Sequence, residues 1–185
     1  MDYVNSYNSD IRKMAYASLF AALVAVGAYI EIPLPLVPIT LQVLFVLLAG
    51  AMLGAKWGSL SMVVYVLLGL VGLPVFSGGS SGLGVILGPT GGYIFGFIIA
   101  AFVVGYLSDK KGISSILWNT VHMVVGLSMI FLLGATYLMH VADLSIPGAV
   151  AAGILPFIPG GIIKILLAAF IASRYSLDKQ NDTDK

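Results

Sequence analysis

The chain has 185 residues, 59% of them hydrophobic and only 9% charged, against about 45–50% and about 25% in soluble domains. Too few charges are present to coat a water-facing surface, so the bilayer is the expected solvent for most of the chain. The net charge of +1 says nothing about nucleic acid, but no basic stripe is present to neutralise a phosphate backbone, so no nucleic-acid partner is expected. The lack of cysteine excludes disulfides, thiolate metal sites and cysteine catalysis.

A spanning helix takes roughly 20 apolar residues, with a range near 17–25. The first apolar run follows Arg12 and Lys13 and imitates a signal peptide. It lacks a persuasive small-residue cleavage site and more runs follow, so it reads as the first helix. The expected spans are Met14–Ile30, Ile39–Leu53, Gly58–Leu73, Gly92–Leu107, Ser114–Met139 and Gly160–Ser173. The expected fold is therefore an all-α integral membrane protein of six transmembrane helices with membrane-embedded outer loops. A transmembrane domain over residues 14–174 separates cytoplasmic tails at 1–13 and 175–185.

Arg12, Lys13, Lys56, Lys110, Lys111, Arg174, Lys179 and Lys185 all fall on one side of these spans. The positive-inside rule makes that side cytoplasmic, with both termini inside. Lys164 is the exception, because it lies within the last span. A charge at mid-membrane costs about 2.5–3.5 kcal/mol on insertion scales and needs a partner or a wet cavity. One reading is a lysine snorkelling to the outer interface. The functional reading is an anion site, because Pro159-Gly160-Gly161 would place Lys164 in the first turn of a helix whose free N–H groups also favour a carboxylate.

The outer loops are apolar and rich in proline and glycine. Loop 1 is Pro33 to Pro38, and loop 3 runs from Pro74 through Phe76, Ser77, Ser80 and Gly82, continuing to Tyr93. Leu155-Pro156-Phe157-Ile158-Pro159 is expected to be a third irregular segment. Non-helical backbone at membrane depth must be buried in protein or line a cavity, so the three segments predict a lidded pocket on the outer face. Gln42 and Tyr93 are polar groups near outer helix ends and are candidate ligand contacts. The loop glycines carry no Walker signature and read as turn and packing positions.

Ala17, Ala21 and Ala25 recur at every fourth position of the first helix. Such a stripe lets another helix approach closely, either within the chain or from a different subunit. Gly50, Gly54 and Gly58, and Gly92, Gly96 and Ala100, read as internal packing. Asn119 and His122 are polar groups on the inner half of the fifth span. His122, with no carboxylate in any span to make it a proton relay, reads as a hydrogen-bonded packing residue, and His140 lies near the outer interface. The chain has no nucleotide-binding motif and no acidic residue securely within a span. A ligand-binding bundle of this kind depends on partner subunits for energy.

The segments Pro35-Leu36-Val37-Pro38-Ile39-Thr40-Leu41-Gln42, Gly72-Leu73-Pro74-Val75-Phe76, Gly88-Pro89-Thr90-Gly91-Gly92-Tyr93 and Pro156-Phe157-Ile158-Pro159-Gly160-Gly161-Ile162-Ile163-Lys164 resemble the BioY family. Its members are the biotin-specific S components of energy-coupling factor (ECF) transporters. The resemblance implies a multi-pass subunit of a prokaryotic cell membrane that captures biotin from outside. It further implies a transmembrane coupling subunit and two cytoplasmic ATPases as partners, with ATP bound only there and no covalent cofactor. The first-helix alanines Ala17, Ala21 and Ala25 would dock the coupling subunit. Lys164, Gly161, Tyr93, Gln42, Phe76, Ser80 and Phe157 are the expected substrate-binding residues.

Gly161 stands where family members typically carry an Asp three residues ahead of the lysine. Loop 3 offers only Ser and Gly where many carry an Asn. The departure favours an acidic ligand tail at Lys164 and makes lipoate, which has a carboxylate but no ureido ring, the alternative ligand. Gly79-Ser80-Ser81-Gly82 also matches the nucleophile string of rhomboid proteases, a remote alternative. The rhomboid serine opens a helix and pairs with a histidine on the last span, and this chain has neither feature. A stand-alone carrier is the remaining alternative.

Overall fold

A computed structural model describes the backbone of residues 2–111 and 115–175, and the side chains of residues 10–110 and 115–175. The expected C-terminal tail beyond Tyr175, with Lys179 and Lys185, lies outside the described residues, as does the expected helix start at Ser114. The elements in chain order are α1 (Asp2–Tyr29), β1 (Glu31–Ile32), β2 (Ile39–Thr40), α2 (Gln42–Leu70), α3 (Leu83–Ile86), α4 (Gly91–Lys111), α5 (Ile116–Val141), α6 (Ile146–Gly153) and α7 (Ile158–Arg174). Helix α1 runs through the expected N-terminal tail, because residues 2–13 contain no proline or glycine to stop it.

Among the described residues, five helical stretches are long and apolar enough to cross a membrane. One of them, α2, is broken at Gly54, whose φ of 75° is left-handed. In an unbroken helix Gln42 and Tyr65 would stand about 35 Å apart at 1.5 Å per residue, yet their side chains are hydrogen-bonded. A Cβ on Gly58 would lie 2.9 Å from the Ala49 carbonyl oxygen. The chain therefore doubles back at Gly54, and the α2 halves are two antiparallel rods. Together with the other stretches they make six long rods among the described residues.

Helix α4 packs between α2 and α5, α1 lies against α2, and α7 closes on α2 and α5. The core runs through Val24, Val46, Leu47, Met62, Val104, Met123 and Ala168, all fully buried. Glycine permits the closest approaches. A Cβ on Gly105 would meet the backbone of Gly54 and Ala55 at 2.4 Å, and one on Gly50 the Ala101 carbonyl oxygen at 2.6 Å. Methyl groups there would push α4 off the α2 turn.

The alanine stripe of α1 faces inward. Ala17 and Ala21 are 5% and 2% exposed, and Ala25 is part-buried. The burial of Ala17 and Ala21 fits packing within the chain, where they let α1 approach the rest of the bundle, rather than docking of a partner at those two positions. The outward face of α1 carries Ala15, Ser18, Leu19 and Ala22 instead.

Two further differences follow from proline chemistry. Leu155–Phe157 forms a 3-10 turn that runs straight into α7, so the expected irregular segment is helical. Pro156 and Pro159 each sit in a first helical turn, where the missing N–H costs nothing. Upstream, Ser145 accepts a hydrogen bond from the Gly148 N–H at 3.3 Å and starts α6, a short helix the sequence reading did not anticipate.

Candidate functional site

Three loop-derived segments meet at one end of the bundle. The first is the β1–β2 hairpin, which pairs Glu31 with Thr40 and Ile32 with Ile39. The Leu41 N–H bonds back to the Gly27 and Ile30 carbonyls at 3.1 and 3.0 Å, and this seats the hairpin on the end of α1. The second is the 71–90 segment. Its Phe76 is 1% exposed and meets Tyr65 edge-on at 5.6 Å between ring centres. A Cβ on Gly69 would overlap the Phe76 ring, so that glycine makes the slot the ring fills. The Tyr29 hydroxyl donates to the Pro74 carbonyl, and the Gly82 N–H to the Gly69 carbonyl at 2.8 Å. The third is the 3-10 turn carrying Phe157.

Between them lies a cavity with about 530 Å³ of empty space, its mouth included. Val37, Pro38, Val43, Ile94, Phe97, Ile130, Phe131 and Phe157 supply apolar wall, and Thr40, Gln42, Tyr65, Ser77, Thr90, Tyr93 and Lys164 supply polar groups. Every one of the three loop segments contributes to the lining.

Lys164 lies in the second turn of α7 rather than the first, because the helix already begins at Ile158. Helical side chains lean toward the N-terminus, and its ammonium stands 3.9 Å from where a Cβ on Gly160 would be. Cation and helix start therefore come together, although the Lys164 backbone lies a turn further on. Lys164 is part-buried and makes no hydrogen bond or ion pair with any described residue. Lys164 is thus a cation in the cavity lining with no counter-charge among the described residues.

Four of the expected site residues, Lys164, Tyr93, Gln42 and Phe157, line this cavity. Tyr93 does so with its ring alone, since its hydroxyl donates to the Gly153 carbonyl at 2.7 Å and ties α4 to α6. Phe76, Ser80 and Gly161 are not in the lining. Phe76 is spent in the slot at Gly69. Ser80 donates to the Ser77 carbonyl at 2.7 Å and pairs with no histidine, while Ser77 itself lines the cavity. Gly161 is buried toward α5, and a Cβ there would meet Leu127 at 2.9 Å and Phe131 at 3.9 Å. It thus packs behind a wall residue.

Thr40, Tyr65, Ser77 and Phe131 were not singled out from the sequence. Tyr65 is fully buried halfway along an apolar run and reaches the site only because α2 folds back. Thr40 was legible as part of the polar pair it makes with Gln42, to which its hydroxyl donates at 2.9 Å. Away from the cavity, Ser108 and His122 approach at 3.4 Å.

Comparison with known proteins agrees with this architecture. The biotin transporter BioY of Thermotoga maritima is 47% identical over 165 residues, covering 89% of this chain and 95% of that protein. The probable biotin transporter BioY of Pyrococcus horikoshii is 42% identical over 163 residues, covering 88% of this chain and 95% of that protein. The crystal structure of the S component for biotin from an ECF-type ABC transporter superposes with a TM-score of 0.84. It shares 29% identity, and the match covers 90% of this chain and 92% of that one. With the BioY family model also matching residues 3–179, the chain belongs to the BioY family.

Proposed function

We propose that the chain is the substrate-binding S component of an ECF-type importer and captures biotin from outside a prokaryotic cell. The observation that carries this reading is Lys164, a cation with no ion-pair partner among the described residues, in an otherwise largely apolar cavity. Biotin has complementary chemistry: a carboxylate tail for the ammonium, and a fused ring and aliphatic chain for Val43, Ile94, Phe97 and Phe131. Relatives named as biotin transporters at 47% and 42% identity support the same ligand.

In this reading the six rods cross the plasma membrane with both termini in the cytoplasm. Lys56, Lys110 and Arg174 then lie on the inner side, and the cavity opens outward. A transmembrane coupling subunit and two cytoplasmic ATPases are the partners and supply the energy, with ATP bound only to them. The S component binds no cofactor and catalyses no reaction. The outward small residues of α1, Ala15, Ser18 and Ala22, offer the partner subunit a close-packing face.

Titration calorimetry on the purified protein tests the ligand. Tight binding of biotin is the expected result. Binding of lipoate without binding of biotin would replace the reading with the lipoate alternative.

A further inference from the structure

Three polar side chains of the cavity form a hydrogen-bonded chain. The Thr40 hydroxyl donates to Gln42 Oε1, and Gln42 Nε2 donates to the Tyr65 hydroxyl. Thr40, Gln42 and Tyr65 are 9%, 5% and 0% exposed, and all three line the cavity. A tyrosine hydroxyl both accepts and donates. Tyr65 accepts from Gln42, and its own O–H has no acceptor among the described residues. Thr40 has spent its proton and keeps its lone pairs.

The chain therefore presents one donor, at Tyr65, and one acceptor, at Thr40. Turning the Gln42 amide over would exchange the two ends, yet the cavity would still meet one donor and one acceptor. That pairing complements a group carrying an N–H beside a C=O. A carboxylate tail offers no N–H, and Lys164 already serves its charge.

We infer that Thr40, Gln42 and Tyr65 are the specificity element that reads the ureido ring, with Tyr65 donating to the ring carbonyl and Thr40 accepting from a ring N–H. The inference rests on biotin being the ligand. Gln42 is a positioning residue that sets which end donates. Both outer members are held by secondary structure, Thr40 in the hairpin and Tyr65 in the second half of α2, so the donor and acceptor are in place before ligand arrives.

The test compares biotin with 2-iminobiotin, whose protonated guanidinium puts N–H donors where biotin has its carbonyl. The wild-type protein is expected to favour biotin, because two donors would otherwise face each other at Tyr65. Tyr65→Phe is expected to weaken biotin about tenfold, the scale of one lost buried hydrogen bond, and to reduce the preference over 2-iminobiotin by a similar factor. Thr40→Val is expected to weaken both ligands together, since both keep the ring N–H. The ratio of the two affinities is unaffected by the fraction of misfolded protein, so a partly folded variant still gives a reading. Equal losses for the two ligands in Tyr65→Phe, or no loss for biotin, would overturn the inference and leave Tyr65 as wall. A wild-type protein that binds no biotin would overturn the functional reading as well.

Discussion

Asp109, at the end of α4, accepts a hydrogen bond from the Ala55 N–H at 3.0 Å through Oδ2. Ala55 opens the second half of α2, so the carboxylate caps a helix start that has no capping side chain of its own. Its other oxygen lies 2.6 Å from where a Cβ on Gly54 would stand. The fold-back that brings Tyr65 to Gln42 is thus clamped from a neighbouring helix. Gly54→Ala combines a left-handed backbone with a clash and is expected to cost about 1–3 kcal/mol. Asp109→Ala is expected to cost about 1 kcal/mol through loss of the cap. Thermal unfolding in detergent measures both.

Lys164→Met should remove the anion partner without leaving a void. A charged hydrogen bond contributes about 1.5–3 kcal/mol, so biotin affinity is expected to fall about ten- to hundredfold. Biotin methyl ester, which has no carboxylate, should bind the variant and the parent alike. A calorimetric comparison of the acid and the ester decides this, and an equal loss for both would show that Lys164 only shapes the wall.

Neighbouring alanines of α1 should behave oppositely. Ala21→Leu overfills a position that is 2% exposed, and overpacking costs about 1–3 kcal/mol, seen as a lower unfolding temperature. Ala22 points outward, so Ala22→Leu should leave the unfolding temperature and biotin binding unchanged. Its expected effect is on co-purification with the coupling subunit, which the larger side chain should reduce.

Tyr93→Phe leaves the buried Gly153 carbonyl without its donor. The expected cost is about 1–3 kcal/mol, read as a lower unfolding temperature. Gly153→Ala should be at least as harmful, because its Cβ would stand 2.4 Å from the Tyr93 oxygen. A hydrogen–deuterium exchange experiment should show α6 opening first in both variants.

The apolar runs, the segregation of the cations and the anomaly of Lys164 were all legible in the order of residues. So was the convergence of three outer segments on a pocket, which follows from the cost of free backbone polar groups in a bilayer. These properties depend on run length and charge, and neither requires knowing how a helix is rotated.

Rotation was what the sequence left open. In a water-soluble helix the polar face marks the outside, but here lipid is as apolar as the core and no such stripe exists. Tertiary packing therefore decided that Ala17 and Ala21 turn inward, that Phe76 fills the slot at Gly69, and that Gly161 sits behind Phe131. It also brought Tyr65 beside Gln42 and Thr40, because only the break at Gly54 sets residues 23 positions apart within hydrogen-bonding distance. Lys164 could be found from sequence because a buried charge is costly wherever it points. Of the uncharged lining residues, Gln42, Tyr93 and Phe157 stood out in the sequence, whereas Tyr65, Ser77 and Phe131 became visible only once the helices were packed together.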